Sequence, residues 1–309
     1  MPEVSVAIPT FRRPLGLQRL LAALAQLDTA ASVTVLIADN DSDKHEGFDL
    51  CEALRSKGYR WPLRAVIVAE RGIAAVRNAL VANALADPKT DFVAMLDDDE
   101  WPEPRWLDRL LAEQTKTNAG AVQGSILFAF DEKPAAWMRS FDGVSDIRHA
   151  SGPADMLQGA GNILVTRTAL ERLTQPWFDP AFALGGGEDF DFFMRLKQAG
   201  ATFAWSDEAI AHSSVSDTRI TMGWALKRAY SIGNSDMRVF LKYRPTAAAR
   251  AAELVKIAGA FLFAPVLFLA NAFDDARRAD ALRRLWRAAG KCAALFGHRY
   301  DEYAVTHGR

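Results

Sequence analysis

A chain of 309 residues, half of them hydrophobic, can bury a sizeable core, which excludes an extended or disordered protein. Its two cysteines, Cys51 and Cys292, form no CxxC and no Cys/His cluster, which argues against structural zinc or a disulfide framework and for a reducing compartment. The net charge of −1 hides an asymmetry: 21 Lys+Arg face 31 Asp+Glu up to Asp217, and 16 face 7 from Arg219 onward, so an acidic part carries a basic one with different partners.

In chain order, MPEVSVAIPTF has no basic leader and too short an apolar run for a signal peptide; it reads as a first strand ending at Pro9. LGLQRLLAALAQL has helical spacing, VTVLIADN is a buried strand ending in Asp39, and DLCEALRSKG is a helix closed by Gly58. LRAVIVAE, GIAAVRNALVANAL and FVAMLDDD then read as strand, helix and strand. This alternation predicts an α/β fold, a doubly wound, largely parallel sheet whose ligands lie beyond the carboxyl ends of the strands. Pro9 and Thr10, Asp39, Glu70 and Arg71, and Asp97 to Asp99 all fall at such ends.

Beyond Trp106, AGAVQGSILFAF supplies one or two strands, and 131–155, with Pro, Gly and scattered charge, reads as a long loop or flap. QGAGNILVTRTAL returns to strand and helix, GGGEDFDFFMRLKQAG is a glycine turn entering an amphipathic helix, and TFAWSDEAIAHSS is strand, turn, strand. The expected division is 1–218 for the α/β domain and 219–309 for a basic, apolar helical region. Within the latter, Ile257 to Phe273 is an uncharged run of 17 residues, marginal for a bilayer span of roughly 20. Basic residues such as Arg250, Lys256, Arg277 and Arg278 flank it, which points to an anionic membrane surface; a buried helix packed on the α/β domain or a second subunit is the alternative.

Four consecutive acids, Asp97, Asp98, Asp99 and Glu100, follow the apolar FVAML. Carboxylates so crowded are stable at a strand end when a hard divalent cation, Mg2+ or Mn2+, neutralises them, and such a cation favours a diphosphate. Neither GGGEDF nor GAGN forms GxGxxG after the first strand, and no Walker loop occurs, so a dinucleotide cofactor is not expected.

VAIPTFRRP, IADNDS, RGIAAVRN, MLDDDEWPEP, QGAGNILVTR, GGGEDFDFFMRLKQAG and AIAHSSV occur in an order that resembles a family 2 glycosyltransferase of the GT-A fold. The DDDEWPEP and RGIAAVRN variants are similar to bacterial exopolysaccharide glucosyltransferases of the succinoglycan type. The resemblance implies a Rossmann-like nucleotide-sugar fold and a UDP-sugar or similar nucleotide diphosphate sugar as donor. It places Pro9, Thr10 and Asp39 around the nucleobase, makes Asp97 to Asp99 the D-x-D motif, and gives Asp97 a hydroxyl of the donor. Asp98 is a possible sugar ligand, Asp99 the metal ligand, and His212 a second ligand beside the metal. Arg71, Arg77 and Asn78 are expected near the diphosphate or donor sugar. Of Glu188 and Asp189, the Asp is the expected general base, because the helix N-terminus favours its ionised form; helix capping by either acid is the alternative. Glu100 and Trp101 face toward the acceptor.

Taken together these features imply inverting, metal-dependent transfer to a polyprenyl-diphosphate-linked glycan, from a peripheral position on the cytoplasmic face of the inner membrane, with no nucleic acid partner. A nucleotidyltransferase of related architecture would need a glycine-rich basic loop after the first strand, where FRRPLG has only Gly16. A non-catalytic nucleotide- or sugar-binding protein would have no use for the acids of GGGEDF.

Overall fold

The computed structural model describes residues 1–130, 134–141 and 144–301. Strands β1 (Glu3–Thr10), β2 (Ser32–Asp39), β3 (Leu63–Ile67) and β4 (Phe92–Met95) form the predicted parallel sheet, interleaved with helices α1 (Pro14–Leu24), α2 (Glu46–Ser56) and α3 (Ile73–Ala86). Strands buried on both faces need apolar residues at every position, and Val4, Val6, Ile8, Val35 and Ile37 on one side and Ala7, Leu36 and Ala38 on the other fill two core layers. The last pair of β1 with β4 is Ala7 with Met95, so Pro9, which has no N–H, lies past that ladder.

The second half of the sheet is mixed rather than parallel. β8 (Ile163–Thr166) runs antiparallel to both β4 and β6 (Ala121–Phe130), β6 and β9 (Phe203–Val215) are parallel, and β5 (Glu100–Pro102) and β7 (Gly152–Ala154) pair antiparallel to β9. The order is β3-β2-β1-β4-β8-β6-β9-β5, with β7 also on β9. AGAVQGSILFAF is thus one strand. The expected turn inside TFAWSDEAIAHSS is a bulge: register jumps from Gly124–Ser206 to Ile126–Ala211, leaving Asp207 to Ile210 outside the ladder. Residues 131–133 and 142–143 of the predicted loop lie outside the described residues; the rest includes a short 3-10 turn, Ala136–Ser140, and β7.

α4 (Trp106–Thr117), α5 (Arg167–Glu171) and α6 (Glu188–Gln198) complete the α/β part. After β9 come α7 (Met222–Lys242), α8 (Ala247–Ala270) and α9 (Asp275–Leu295), each capped by a side chain, Thr221, Thr246 and Asp274, that accepts a first-turn N–H. α7 and α9 approach closely through glycines: a Cβ on Gly233 would stand 2.0 Å from the Arg287 carbonyl oxygen, and one on Gly290 2.0 Å from that of Tyr230. A cluster joining Phe128, Phe130 and Val215 to Ala225, Ala229 and Ala279 seats this bundle on the ends of β6 and β9.

α8 packs mainly on α9, and its most apolar 18-residue window is only 11% buried. Phe263, Val266 and Leu269 are 60%, 59% and 74% exposed. By length and composition it is one helix able to cross a membrane, with mean hydropathy 1.9.

Candidate active site

A cavity of about 1210 Å³ opens at the carboxyl ends of β1 and β4 and extends along α7. That exceeds the roughly 300–1,000 Å³ of a pocket for one drug-sized ligand, so two substrates have room. Its walls include Pro9 and Thr10 from β1, Arg71 and Arg77 around α3, Asp97 to Glu100, and Glu188 and Asp189 at the start of α6.

The acidic turn begins where β4 ends. Asp97 N–H donates to Glu100 Oε2 at 3.0 Å and Glu100 N–H to the Asp97 carbonyl at 3.0 Å, closing the turn before β5. Gly16 of α1 packs against it so closely that a Cβ would stand 2.5 Å from the Asp98 carbonyl oxygen. Asp98 is buried: Thr10 Oγ1 donates to its Oδ2 at 2.9 Å, Phe11 N–H to the same oxygen at 3.3 Å, and Arg13 to Oδ1 at 3.0 Å. Burial nevertheless lifts its pKa to about 6, against the pull of Arg13. Asp99 Oδ2 accepts from Arg13 at 2.8 Å and Arg219 at 3.3 Å. Glu100 is buried, its pKa raised well above the ordinary value by burial and then by the Asp97 charge.

The opposite wall depends on glycine. Gly186 and Gly187 have φ of 71° and 92°, a left-handed backbone that disfavours other residues, and they start α6 at Glu188. The first turn carries Glu188, Asp189 and Asp191 where the helix N-terminus favours negative charge. Arg77, buried on α3, joins the walls: it donates to Glu188 Oε1 at 2.7 Å and to Asp97 Oδ1 at 3.0 Å. Burial, reinforced by the Asp189 charge, outweighs Arg77 and holds the Glu188 carboxyl up at about 7. Glu188 Oε2 is buried without a hydrogen-bond partner. Asp189 is half-buried; its Oδ1 accepts its neighbour Phe190's N–H at 2.7 Å.

Four expected site residues are not among the cavity's walls. Asp39 is buried behind the edge, Oδ1 accepting from Asp41 N–H at 2.9 Å and Oδ2 from Phe48 N–H at 3.0 Å, so its carboxylate organises the entry to α2. Asn78, on a different face of α3 from Arg77, clamps the Phe178 backbone, donating to its carbonyl at 2.8 Å and accepting its N–H at 2.9 Å. Trp101 and His212 pair across β5 and β9 and stack with centroids 5.5 Å apart, Arg19 covering Trp101 at 3.9 Å. His212 Nε2 lies 3.3 Å from Glu103 Oε1, whereas the adjacent pair, Glu100 and Ser213, lines the cavity. The two-residue period of a strand therefore sets His212 and Trp101 on the other face from Glu100 and Ser213. Arg71 is at the wall, its guanidinium 3.7 Å from the Phe11 ring centroid.

Sequence reasoning missed Arg13 and Arg219, the cations on Asp99; FRRP directly after a strand end was the available signal for the first. The QGAGN segment supplies Asn162, which is fully buried at φ 49°, accepts from Trp106 Nε1 at 2.6 Å and donates to the carbonyls of Ser125 and Ala209 at 2.8 and 2.9 Å. It ties α4, β6 and the β9 bulge together behind the site.

Known proteins share this chain's sequence pattern and its fold. The model of glycosyl transferase family 2 matches residues 5–174, and that of glycosyl transferase family group 2 matches 92–293. The succinoglycan biosynthesis protein ExoM of Rhizobium meliloti (strain 1021) is 31% identical over 239 residues, 77% of this chain and 75% of that protein. Hyaluronan synthase of Pasteurella multocida is 24% identical over 68% of this chain, which spans 24% of that larger protein. Among solved structures, the mannosyltransferase PcManGT from Pyrobaculum calidifontis in complex with GDP-Man and Mn2+ aligns with a TM-score of 0.65 at 16% identity, covering 96% of this chain and 88% of that one. TarS 1-349 of S. aureus in complex with UDP aligns with a TM-score of 0.53 at 15% identity, over 96% and 93%. These likenesses establish the GT-A fold. With a family model over residues 5–174 and a 31% identical relative matched along most of both chains, the chain belongs to glycosyl transferase family 2.

Proposed function

We propose that this chain transfers a sugar, with inversion, from a nucleotide diphosphate sugar of the UDP type to a hydroxyl of a polyprenyl-diphosphate-linked glycan in bacterial polysaccharide assembly. The observation that carries this is the single cavity in which the D-x-D carboxylates and the acids of α6 face each other, joined by Arg77 at 2.7 and 3.0 Å. The names of ExoM and of hyaluronan synthase support the polysaccharide context, and UDP bound to TarS supports the donor class.

In this reading the nucleotide lies over Pro9, Thr10 and Arg71, and the sugar reaches Asp97 and Asp98. Asp189 accepts the proton of the acceptor hydroxyl as its oxygen attacks the anomeric carbon and the bond to the diphosphate breaks on the opposite face. Glu188, gripped by Arg77, is a positioning residue rather than the base, whereas among the described residues no ion pair holds Asp189. Glu100 fixes the acidic turn from beneath, and its carboxylate is the limit that a Cβ on Gly161 would strike at 2.5 Å.

The fold family implies a divalent metal. Among the described residues no group of three or more His, Cys, Asp or Glu side chains closes around a cation position; a resident metal would take Asp99 of the D-x-D motif and complete its shell from the donor. Hard carboxylate oxygens at the cavity wall fit Mn2+ or Mg2+, which would neutralise the departing diphosphate charge. The exposed apolar face of α8 beside a basic α9 supports a peripheral position on an anionic membrane, on the cytoplasmic leaflet where a lipid-linked acceptor would be met.

The test is turnover of a panel of UDP- and GDP-sugars with Mn2+, following nucleotide release and the anomeric configuration of the product by NMR. Inversion with one UDP-sugar preferred is expected; retention of configuration, or release of pyrophosphate instead of a nucleoside diphosphate, contradicts the reading.

A further inference from the structure

Asp99 is the carboxylate expected to receive the metal, yet its Oδ2 already accepts from two guanidiniums, Arg13 at 2.8 Å and Arg219 at 3.3 Å. The two are held differently. Arg13 also donates to buried Asp98 at 3.0 Å, and Asp98 is itself fixed by Thr10 and Phe11, so Arg13 has an anchor that does not depend on Asp99. Arg219 stands on a 3-10 turn, Asp217–Arg219, that links β9 to α7, and its bond to Asp99 is the longer of the two. Arg13 and Arg228 press on it with like charge, and all three arginines line the cavity. Arg13 and Arg219 thus sit against the carboxylates of Asp98 and Asp99, on the wall where Asp97 to Asp99 would meet a diphosphate. Guanidinium groups pair with phosphate oxygens through short charge-assisted hydrogen bonds.

We infer that Arg219 is a movable counter-ion: it occupies Asp99 while the donor is absent and passes to the donor's diphosphate when the nucleotide sugar binds, clearing Asp99 for the divalent cation. This rests on the donor reading of the proposed function and adds to it an antagonism between Arg219 and the metal. Arg13 stays with Asp98, so Arg219 is the cation that leaves. Metal and nucleotide then strengthen each other's binding, and by linkage the gain is mutual.

The experiment measures two affinities on the full chain, for wild type, Arg219→Gln and Arg219→Lys: Mn2+ alone, by the EPR signal of free Mn2+, and UDP at fixed Mn2+, by calorimetry. Arg219→Gln is expected to bind Mn2+ alone about two- to fivefold more tightly, the worth of a partly exposed ion pair. It is expected to bind UDP about tenfold or more weakly, the loss of a hydrogen bond to a charged group. Arg219→Lys keeps a point charge without the planar fork and should fall between the two in UDP affinity, which separates the effect from a folding defect. The inference is overturned if Arg219→Gln binds Mn2+ no more tightly than wild type, or binds UDP equally well. Wild-type protein that binds Mn2+ but neither UDP nor GDP overturns the donor reading and this inference with it; UDP binding that is unchanged in Arg219→Gln overturns this inference alone.

Discussion

Arg77→Met removes a buried guanidinium while keeping much of its apolar stem. Arg77 and Glu188 have side chains 5% and 3% exposed, and withdrawing one partner of such a pair costs about 3–5 kcal/mol. Asp97 is 38% exposed, so its half of the bridge adds at most about 1 kcal/mol. Glu188 Oε2 has no other partner, so nothing compensates the stranded carboxylate. The loss has a pH signature. The Glu188 carboxyl sits at about 7, above its ordinary 4.5, so between these values the folded chain binds more protons than the unfolded one. Its contribution to stability is therefore fully present below pH 4.5 and is lost as pH rises through 7. Without Arg77, which lowers that value, the folded pKa rises further and the loss continues to higher pH. Urea unfolding followed by tryptophan fluorescence should show a deficit of about 4 kcal/mol near pH 8.5, a much smaller one near pH 5.5, and partial recovery in Arg77→Met/Glu188→Gln. An equal deficit at both pH values, or no recovery in the double variant, would refute the reasoning.

Lys242→Met should destabilise the chain by about 3 kcal/mol or more, read as a lowered urea midpoint, because fully buried Asp191 accepts from Lys242 at 2.6 Å and keeps only Tyr243, at 2.9 Å. Tyr243→Phe should cost about 1 kcal/mol in the same assay. On α8, Phe263→Glu with Val266→Glu should abolish co-sedimentation with vesicles containing anionic lipid while shifting stability by no more than about 0.5 kcal/mol per site. Wild-type protein that stays in the supernatant at low salt would contradict the membrane reading.

The parallel half of the fold was legible because buried parallel strands are apolar throughout and end in polar residues, as FVAM before Asp97 does. The antiparallel half was not: β5 has three residues and β7 three, too few for any period to show, and only pairing with β9 reveals them. That limit carried into the site. Trp101 and His212 adjoin the expected motifs, but only the strand register places them on the other face from Glu100 and Ser213 and stacks them on each other. Arg77 was legible as a site residue, but its bridging of Asp97 and Glu188, 20 and 111 positions away, is a property of the packed sheet alone. Arg219 lies beyond the acidic part of the chain and reaches Asp99 across 120 positions, with no local pattern to announce it.

The central claim is that Asp189 takes the acceptor's proton in a cavity shared with the D-x-D carboxylates. Asp189→Asn, compared with wild type for sugar transfer and for UDP binding with Mn2+, tests it most directly. Transfer should fall about 100- to 10,000-fold with UDP affinity unchanged. Transfer near the wild-type rate, with UDP still bound, would contradict it.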